Sequence, residues 1–267
     1  MSTDGPRVLC STGPFFMMPL GQVFDALSKA GFTGAEVMVT SDQVTQEGAG
    51  LRALSEDFGI AVEAIHAPFL LLTRTVFTTD PLEKIRRSTG LAQDIGAPLV
   101  VVHPAYRWQQ RFHRWLGQDI AEFSRSEAIT LAVENMFPVW VRGRALQFHR
   151  SMSIEDMKRF STVVLDTSHA AVTGIDVIRA FDELGDRIRH IHLSNNLGTG
   201  RDTHSPLTNG VLPIGRLLER IAGAGFTGTI TLELDVREWL GKPGQLVGQL
   251  RRQREFCLDR LGAAAGA

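Results

Sequence analysis

Short apolar segments alternate with longer amphipathic segments along the whole chain. The short segments are rich in β-branched residues and are bounded by polar residues and glycines, a pattern that favours buried β-strands. They predict eight strands, at residues 7–11, 34–39, 60–66, 99–103, 130–134, 163–166, 188–193 and 229–233. The fourth, LVVVH, is almost continuous in β-branched residues, as expected of a strand buried on both faces.

The longer segments carry apolar residues at helical spacing. They predict helices at residues 20–30, 48–58, 81–95, 119–127, 176–184, 214–224 and 243–261, and one more that begins near Ser153, a residue type that caps helices. Gly31 and Gly96 directly follow two of these helices, where glycine often ends a helix. Residues 104–118 and most of 135–152 are predicted to be loops, and the final GAAAGA is predicted to be a frayed tail.

Eight strand–helix units follow one another without a linker or a change in composition. This order predicts one domain over residues 1–267, folded as a closed (β/α)8 TIM barrel of the α/β class. A doubly wound open sheet is the alternative. No GxGxxG follows the first strand, which counts against a dinucleotide-binding version of that sheet.

Overall charge narrows the classes of partner. The 267 residues carry a formal net charge of −1, so no global positive field favours nucleic acid or a membrane surface. No apolar run approaches the roughly 20 residues of a membrane helix, and the N-terminus lacks a signal-peptide pattern. We therefore predict a cytoplasmic protein without a membrane partner. The two cysteines, Cys10 and Cys257, lack metal-site spacing and are predicted to be reduced thiols.

Metal-ligand residues occur at the ends of the predicted strands, where TIM barrels carry their chemistry. The third to eighth strands end in His66, His103, Glu134, Asp166, His192 and Glu233, and His169, Asp202 and His204 follow closely. Taken singly, each has an ordinary alternative, because a strand-end histidine can bind a carbonyl and an aspartate can cap the next helix. Six successive ends that offer such groups to one funnel predict a metal site, since a dication offsets the cost of burying several carboxylates. Imidazole and carboxylate ligands suit Zn²⁺ or Mn²⁺.

The order of these motifs carries a family resemblance. The motifs are HAPF (66–69), VVHP (101–104), ENM (134–136), LDTSHA (165–170), HLSN (192–195), DTH (202–204) and LELD (232–235). Together they resemble the xylose isomerase-like TIM-barrel superfamily, which contains sugar and sugar-phosphate isomerases and epimerases and also the abasic-site enzyme endonuclease IV. The resemblance covers nearly the whole chain.

Resemblance to the isomerase and epimerase branch implies one divalent cation, Mn²⁺, Zn²⁺, Mg²⁺ or Co²⁺. Its ligands would be Glu134, Asp166, His192 and Glu233. Glu134 and Glu233 would also be catalytic, one removing a proton beside a carbonyl and the other returning it. His169 would contact the substrate, a sugar or sugar phosphate. Such barrels also form homo-oligomers through their outer helices, but no self-complementary patch in the sequence locates an interface.

Resemblance to endonuclease IV implies a larger centre and a different substrate. The same four residues would join His66, His103, His169, Asp202 and His204 in a trinuclear zinc cluster that acts on abasic DNA. This chain departs from that branch, which usually has HLND, then a lysine, then DRH; here the residues are HLSN and DTH, without that lysine. Both functions stay open, and the near-neutral charge favours the small substrate.

Two predicted loops combine arginines with aromatic residues and lack acidic residues. They supply the candidate substrate-binding residues Arg107, Trp108, Arg142 and Arg144. Guanidinium groups grip phosphate in bidentate fashion, and aromatic rings stack on sugars or bases. This predicts a basic, aromatic rim around the funnel. The alternative is a pair of amphipathic lid segments whose arginines are solvated.

Overall fold

A computed structural model describes residues 5–69, 76–141, 144–150 and 153–265. Its strands are β1 (Arg7–Ser11), β2 (Gly34–Met38), β3 (Ala61–His66), β4 (Leu99–Val102), β5 (Thr130–Glu134), β6 (Val139–Val141), β7 (Arg144–Leu146), β8 (Val163–Asp166), β9 (Ile188–Leu193) and β10 (Thr229–Leu232). Eight of them form a closed parallel barrel in the order β1-β10-β9-β8-β5-β4-β3-β2. Because β1 pairs with both β2 and β10, the sheet has no open edge. The TIM-barrel prediction is confirmed, and the open-sheet alternative is wrong.

Helices surround the barrel. They are α1 (Leu20–Lys29), α2 (Gly48–Phe58), α3 (Pro81–Ile95), α4 (Gln110–Gln118), α5 (Ile120–Ser126), α6 (Ile154–Met157), α7 (Thr167–Val172), α8 (Val177–Leu184), α9 (Ile214–Gly223) and α10 (Pro243–Ala265). Helix α3 shows why the sequence predicted many of these bounds. The Asp80 carboxylate accepts a hydrogen bond from the Leu82 amide, and Gly96 ends the helix with a left-handed φ of 75°.

The apolar core has two parts. The larger part fills the space between the strands and the outer helices, and its fully buried side chains include Phe24, Leu51 and Leu131. The smaller part lies among β3, β4, β5 and β8 and consists of Ala64, Leu99, Val101, Ala132 and Val164. These five residues alternate with those of the larger part, as expected where successive side chains point to opposite faces of a sheet. They fill one side of the barrel interior below the strand ends.

Several expected loops contain regular structure. Helix α4 occupies a segment predicted to be a loop because arginines interrupt its apolar stripe, although Phe112 and Leu116 are buried one turn apart. Strands β6 and β7 form an antiparallel hairpin inside the predicted loop after β5. Helix α7 was not predicted, because its six residues are too few to show the helical spacing of apolar positions. Helix α10 continues to Ala265 rather than fraying after residue 261, since alanine is the strongest helix former.

The start of α6 and the ends of two strands can be compared with the predicted residues. Helix α6 begins after Ser153, whose hydroxyl accepts a hydrogen bond from the Asp156 amide as expected. Strands β4 and β10 end one residue before the predicted residue, so His103 and Glu233 lie just beyond them.

In the part of the chain that the structure describes, no helix combines the length and the apolarity that crossing a membrane requires.

Candidate metal centre

Four of the predicted ligands meet at the carboxyl ends of four neighbouring strands, β5, β8, β9 and β10. Their ligand atoms all lie within 4.8 Å of one another; the residues are Glu134, Asp166, His192 and Glu233. Nδ1 of His192 is 2.9 Å from Oε1 of Glu134 and 3.0 Å from Oε2 of Glu233. It is 3.7 Å from Oδ2 of Asp166. Three carboxylates and one imidazole nitrogen therefore surround one point.

The other five predicted ligands extend this cluster on both sides. Glu134 also belongs to a group with His66 and His103, whose Nε2 atoms lie 3.6 and 2.9 Å from its Oε2. Asp166 also belongs to a group with His169 and His204. Oδ2 of Asp202 lies 2.8 Å from Nε2 of His204 and 3.5 Å from Nε2 of His169. All nine residues singled out from the sequence thus lie in one contiguous cluster.

Asn135 fixes the strand ends that carry Glu134 and Asp166. Its side-chain oxygen accepts the Asp166 amide N–H at 2.7 Å, and its side-chain amide donates to the Asp166 carbonyl at 3.0 Å. The Asp166 carboxylate in turn accepts the His169 amide at 2.7 Å and caps α7. The alternative role of Asp166, that of a helix cap, is therefore correct for its Oδ1, while its Oδ2 faces the cluster.

A second set of hydrogen bonds holds the loop that carries Asp202 and His204. The Ser168 hydroxyl donates to Oδ1 of Asp202 at 2.6 Å and accepts from the Asn196 side-chain amide at 2.9 Å. His204 adopts a left-handed φ of 40°, which is uncommon for a residue with a side chain and is often found at functional sites. Burial would lower its pKa, but the carboxylate of Asp202 raises it to about 9.

The four-residue group is charged and buried. Burial would raise the pKa of Glu134, but the charges of the nearby His192 and His103 hold it well below its usual range. Burial would lower the pKa of His192, but the surrounding carboxylates raise it well above the ordinary value. For Asp166, burial prevails and raises the pKa to about 6. The carboxylates and imidazoles of the cluster thus stabilise one another's charged forms.

The donor set fits a divalent cation. Among the described residues, Oε2 of Glu134 and Oδ2 of Asp166 are buried and accept no well-directed hydrogen bond. His103 lies close to the first of these atoms, but its alignment is that of an ion pair rather than of a hydrogen bond. Buried oxygens of this kind normally have a partner. A borderline cation such as Zn²⁺ or Mn²⁺, which binds carboxylate and imidazole together, would supply it.

A cleft of about 620 Å³ opens onto this cluster. Asp202, His204 and Glu233 of the cluster line it. Its lining also includes six apolar residues: Phe16, Met38, Val39, Pro68, Phe69 and Val76. Cluster and cleft thus form an open pocket of the kind that binds small molecules.

Of the candidate substrate-binding residues, the three that the structure describes do not line this cleft. Arg107 lines a separate surface cavity together with Arg114 and Arg150. Trp108 is 58% exposed and stacks on Tyr106, with ring centroids 4.9 Å apart. Arg144 is exposed on β7, and Arg142 lies outside the described residues. Among the described residues that line the cleft, Arg237 is the only arginine, and it is paired with Asp235. Arg107, Trp108 and Arg144 thus lie outside the lining of this cleft, and their role in substrate binding stays a prediction.

A family model for the xylose isomerase-like TIM barrel matches residues 24–257. The chain belongs to the xylose isomerase-like TIM-barrel family. An uncharacterized protein of Mycobacterium leprae (strain TN) is 29% identical over 94% of this chain and 98% of its own length. The predicted family is thereby confirmed.

Two solved structures show the fold that the family shares. A D-tagatose 3-epimerase-like protein has a TM-score of 0.74 at 17% identity and covers 97% of this chain and 98% of its own. An AP endonuclease, family 2, from Brucella melitensis has a TM-score of 0.66 at 16% identity, over 86% of this chain and 93% of its own. Both branches considered from the sequence are therefore represented among the similar folds.

In this member of the xylose isomerase-like TIM-barrel family, sequence reasoning missed a buried polar layer beneath the cluster. Glu36 on β2 is fully buried, and its Oε2 lies 3.0 Å from Nε2 of His192 and 2.7 Å from Nε2 of His190. Burial would raise the pKa of Glu36, but the two histidines hold it well below its usual range. A signal existed: Glu36 is the one charged residue of GAEVM, and His190 shares a strand face with His192.

Proposed function

We propose that this protein is a divalent-metal-dependent sugar isomerase or epimerase. The observation that carries the proposal is the arrangement of Glu134, Asp166, His192 and Glu233 around one point at the end of an open cleft. Membership of the xylose isomerase-like TIM-barrel family and the likeness to a D-tagatose 3-epimerase-like protein support it.

The four residues would hold one cation in this function. When bound, the cation would supply Lewis-acid stabilisation of negative charge on a substrate oxygen. Glu233 lies both in the cluster and in the cleft lining, so it would face the substrate directly. His169 is flanked by Phe137, with ring centroids 4.4 Å apart, and its Nδ1 lies 2.9 Å from the Asn135 carbonyl oxygen. This fixed imidazole would orient a sugar oxygen.

Glu134 and Glu233 would transfer the proton. The pKa of each is lowered, since the effect of neighbouring histidines exceeds that of burial, so both are carboxylates at neutral pH. One carboxylate would remove a proton from the carbon beside the sugar carbonyl, and the other, after taking up a proton from solvent, would return a proton. Return on the opposite face of the same carbon gives epimerisation. Return on the former carbonyl carbon gives isomerisation, in which the hydroxyl of the first carbon loses its proton to become the new carbonyl and the former carbonyl oxygen gains one.

The test is deuterium exchange between solvent and sugar carbon. The protein is incubated in D₂O with Mn²⁺ or Zn²⁺ and panels of ketoses, aldoses and their phosphates, and incorporation is read by mass spectrometry. Glu134→Gln and Glu233→Gln should each reduce exchange by about 10²–10⁴-fold, the usual contribution of a general acid or base. Glu63→Gln is the matched control, because Glu63 is a buried barrel glutamate that pairs with Arg7 instead. Exchange that survives in Glu134→Gln would refute the assignment.

A second function is favoured by the two outer ligand groups. His66 with His103, and His169 with His204, each share a carboxylate with the central group, so up to three Zn²⁺ ions could be held. That arrangement and the similar fold of an AP endonuclease, family 2, support a zinc-dependent abasic-site endonuclease. Elemental analysis separates the two functions. About one metal ion per chain favours the isomerase, whereas close to three zinc ions together with nicking of abasic duplex DNA would favour the endonuclease.

A further inference from the structure

The imidazole of His192 lies between two sets of carboxylates. Its Nδ1 faces Glu134 and Glu233 at 2.9 and 3.0 Å, and its Nε2 lies 3.0 Å from Oε2 of Glu36. His192 and Glu36 are both fully buried, so water does not compete for these contacts. The two ring nitrogens therefore meet different partners, and what one nitrogen does limits what the other can do.

We propose that Glu36 is the positioning residue of the metal centre and sets the tautomer in which His192 presents Nδ1 to the cation. An ionised carboxylate only accepts hydrogen bonds, so the contact with Glu36 requires the proton on Nε2. A neutral imidazole has a single N–H, and Nδ1 then carries the lone pair that binds metal. The inference rests on the metal centre of the proposed function.

Other side chains hold Glu36 in place. His190 also points its Nε2 at Oε2 of Glu36, at 2.7 Å, and its Nδ1 lies 2.6 Å from the Thr229 hydroxyl. If the Thr229 hydroxyl donates to Nδ1, His190 must carry its proton on Nε2 and donate to Glu36. The Ser11 hydroxyl lies 3.4 Å from the other carboxylate oxygen. The Glu36 carboxylate is thus fixed from β1 and β9, and through His190 from β10.

A histidine ligand whose second nitrogen donates to a carboxylate is held in one orientation and is a stronger base. Glu36 is the candidate for this role at Nε2, since that nitrogen's hydrogen bond among the described residues is to Glu36. Glu36 also lies close enough to His66 and His192 to be a ligand itself. The two roles differ in what removal of the carboxylate does: a positioning role weakens binding, whereas a ligand role lowers the number of ions bound.

The test is Glu36→Gln, measured by competition for Zn²⁺ with a chelator of known affinity. Gln keeps the size of the side chain, but it is neutral and only one of its two polar ends accepts hydrogen bonds. We expect zinc affinity to fall about 10–100-fold, the usual effect of losing such a partner, with an unchanged number of ions at saturation. Glu63→Gln is the control for the loss of a buried barrel carboxylate and should bind zinc as the wild type does.

A second measurement reads the tautomer directly. Long-range ¹H–¹⁵N NMR of the histidine-labelled, zinc-loaded protein should show a proton on Nε2 of His192 in the wild type and a changed Nε2 signal in Glu36→Gln. If Glu36→Gln does not fold, Thr229→Val tests the same chain of hydrogen bonds and should weaken zinc binding to a smaller degree.

The outcomes separate this inference from the proposed function. If the wild type binds zinc and Glu36→Gln binds it equally well, or the proton is found on Nδ1, the positioning role is wrong while the metal centre stands. Loss of one ion per chain in Glu36→Gln would make Glu36 a ligand and would also overturn the positioning role. If the wild type binds no divalent cation, the metal centre itself falls, and this inference with it.

Discussion

Asn135 offers the sharpest test of how the strand ends are held. Its side chain is the partner of both the amide and the carbonyl of Asp166, beyond the last residue pair between β5 and β8. Asn135→Ala would leave both backbone groups buried without a partner, because Asp166 is fully buried. Each such group costs roughly 1–3 kcal/mol, so the free energy of unfolding should fall by about 4 kcal/mol.

Thermal unfolding followed by circular dichroism, in excess chelator, measures this effect. For a chain of this size, about 4 kcal/mol corresponds to a fall in Tm of roughly 7 °C. Asn209→Ala is the matched control, because Asn209 is exposed and should stay within about 0.5 kcal/mol of the wild type. Asn135→Asp should also destabilise, since its carboxylate would oppose the Asp166 carbonyl. If Asn135→Ala unfolds at the wild-type temperature, water satisfies these groups and the reasoning is refuted.

Two further predictions concern packing and pH. Gly210→Ala should lower the free energy of unfolding in urea by roughly 1–3 kcal/mol, because its Cβ would overlap the backbone oxygen of Asn196. Gly117→Ala is the control and should leave the free energy of unfolding unchanged, because no atom lies within 4 Å of the added Cβ. The metal-free protein should be most stable near neutral pH. The lowered pKa of Glu36 gives stability that is present above its ordinary 4.5 and is lost as the pH falls. The raised pKa of His204 gives stability that is full below 6.5 and is lost as the pH rises through about 9. If the Tm measured in chelator does not fall on either the acid or the alkaline side, this prediction is wrong.

The positions of the eight barrel strands follow from the sequence alone, because burial between the helices and the barrel interior leaves a local apolar pattern. The placement of Glu134, Asp166 and His192 at strand ends follows too, since a closed parallel barrel brings all carboxyl ends to one face. The clustering of all nine candidate ligands could therefore be expected before any contact was known. Their roles as ligands remain predictions.

Only the tertiary structure decided which of these side chains are in contact with one another. Glu36 and His192 are 156 residues apart, and no local pattern links them; closure of the barrel brings β2 and β9 across its interior within hydrogen-bond distance. The surroundings of Arg107 were also decided by the tertiary structure. Local charge predicted that Arg107 lies at the rim of the funnel, whereas packing places it beside Arg114 and Arg150 in a separate surface cavity. Local sequence determines which side chains of a segment are buried, whereas long-range packing determines which other residues those side chains contact.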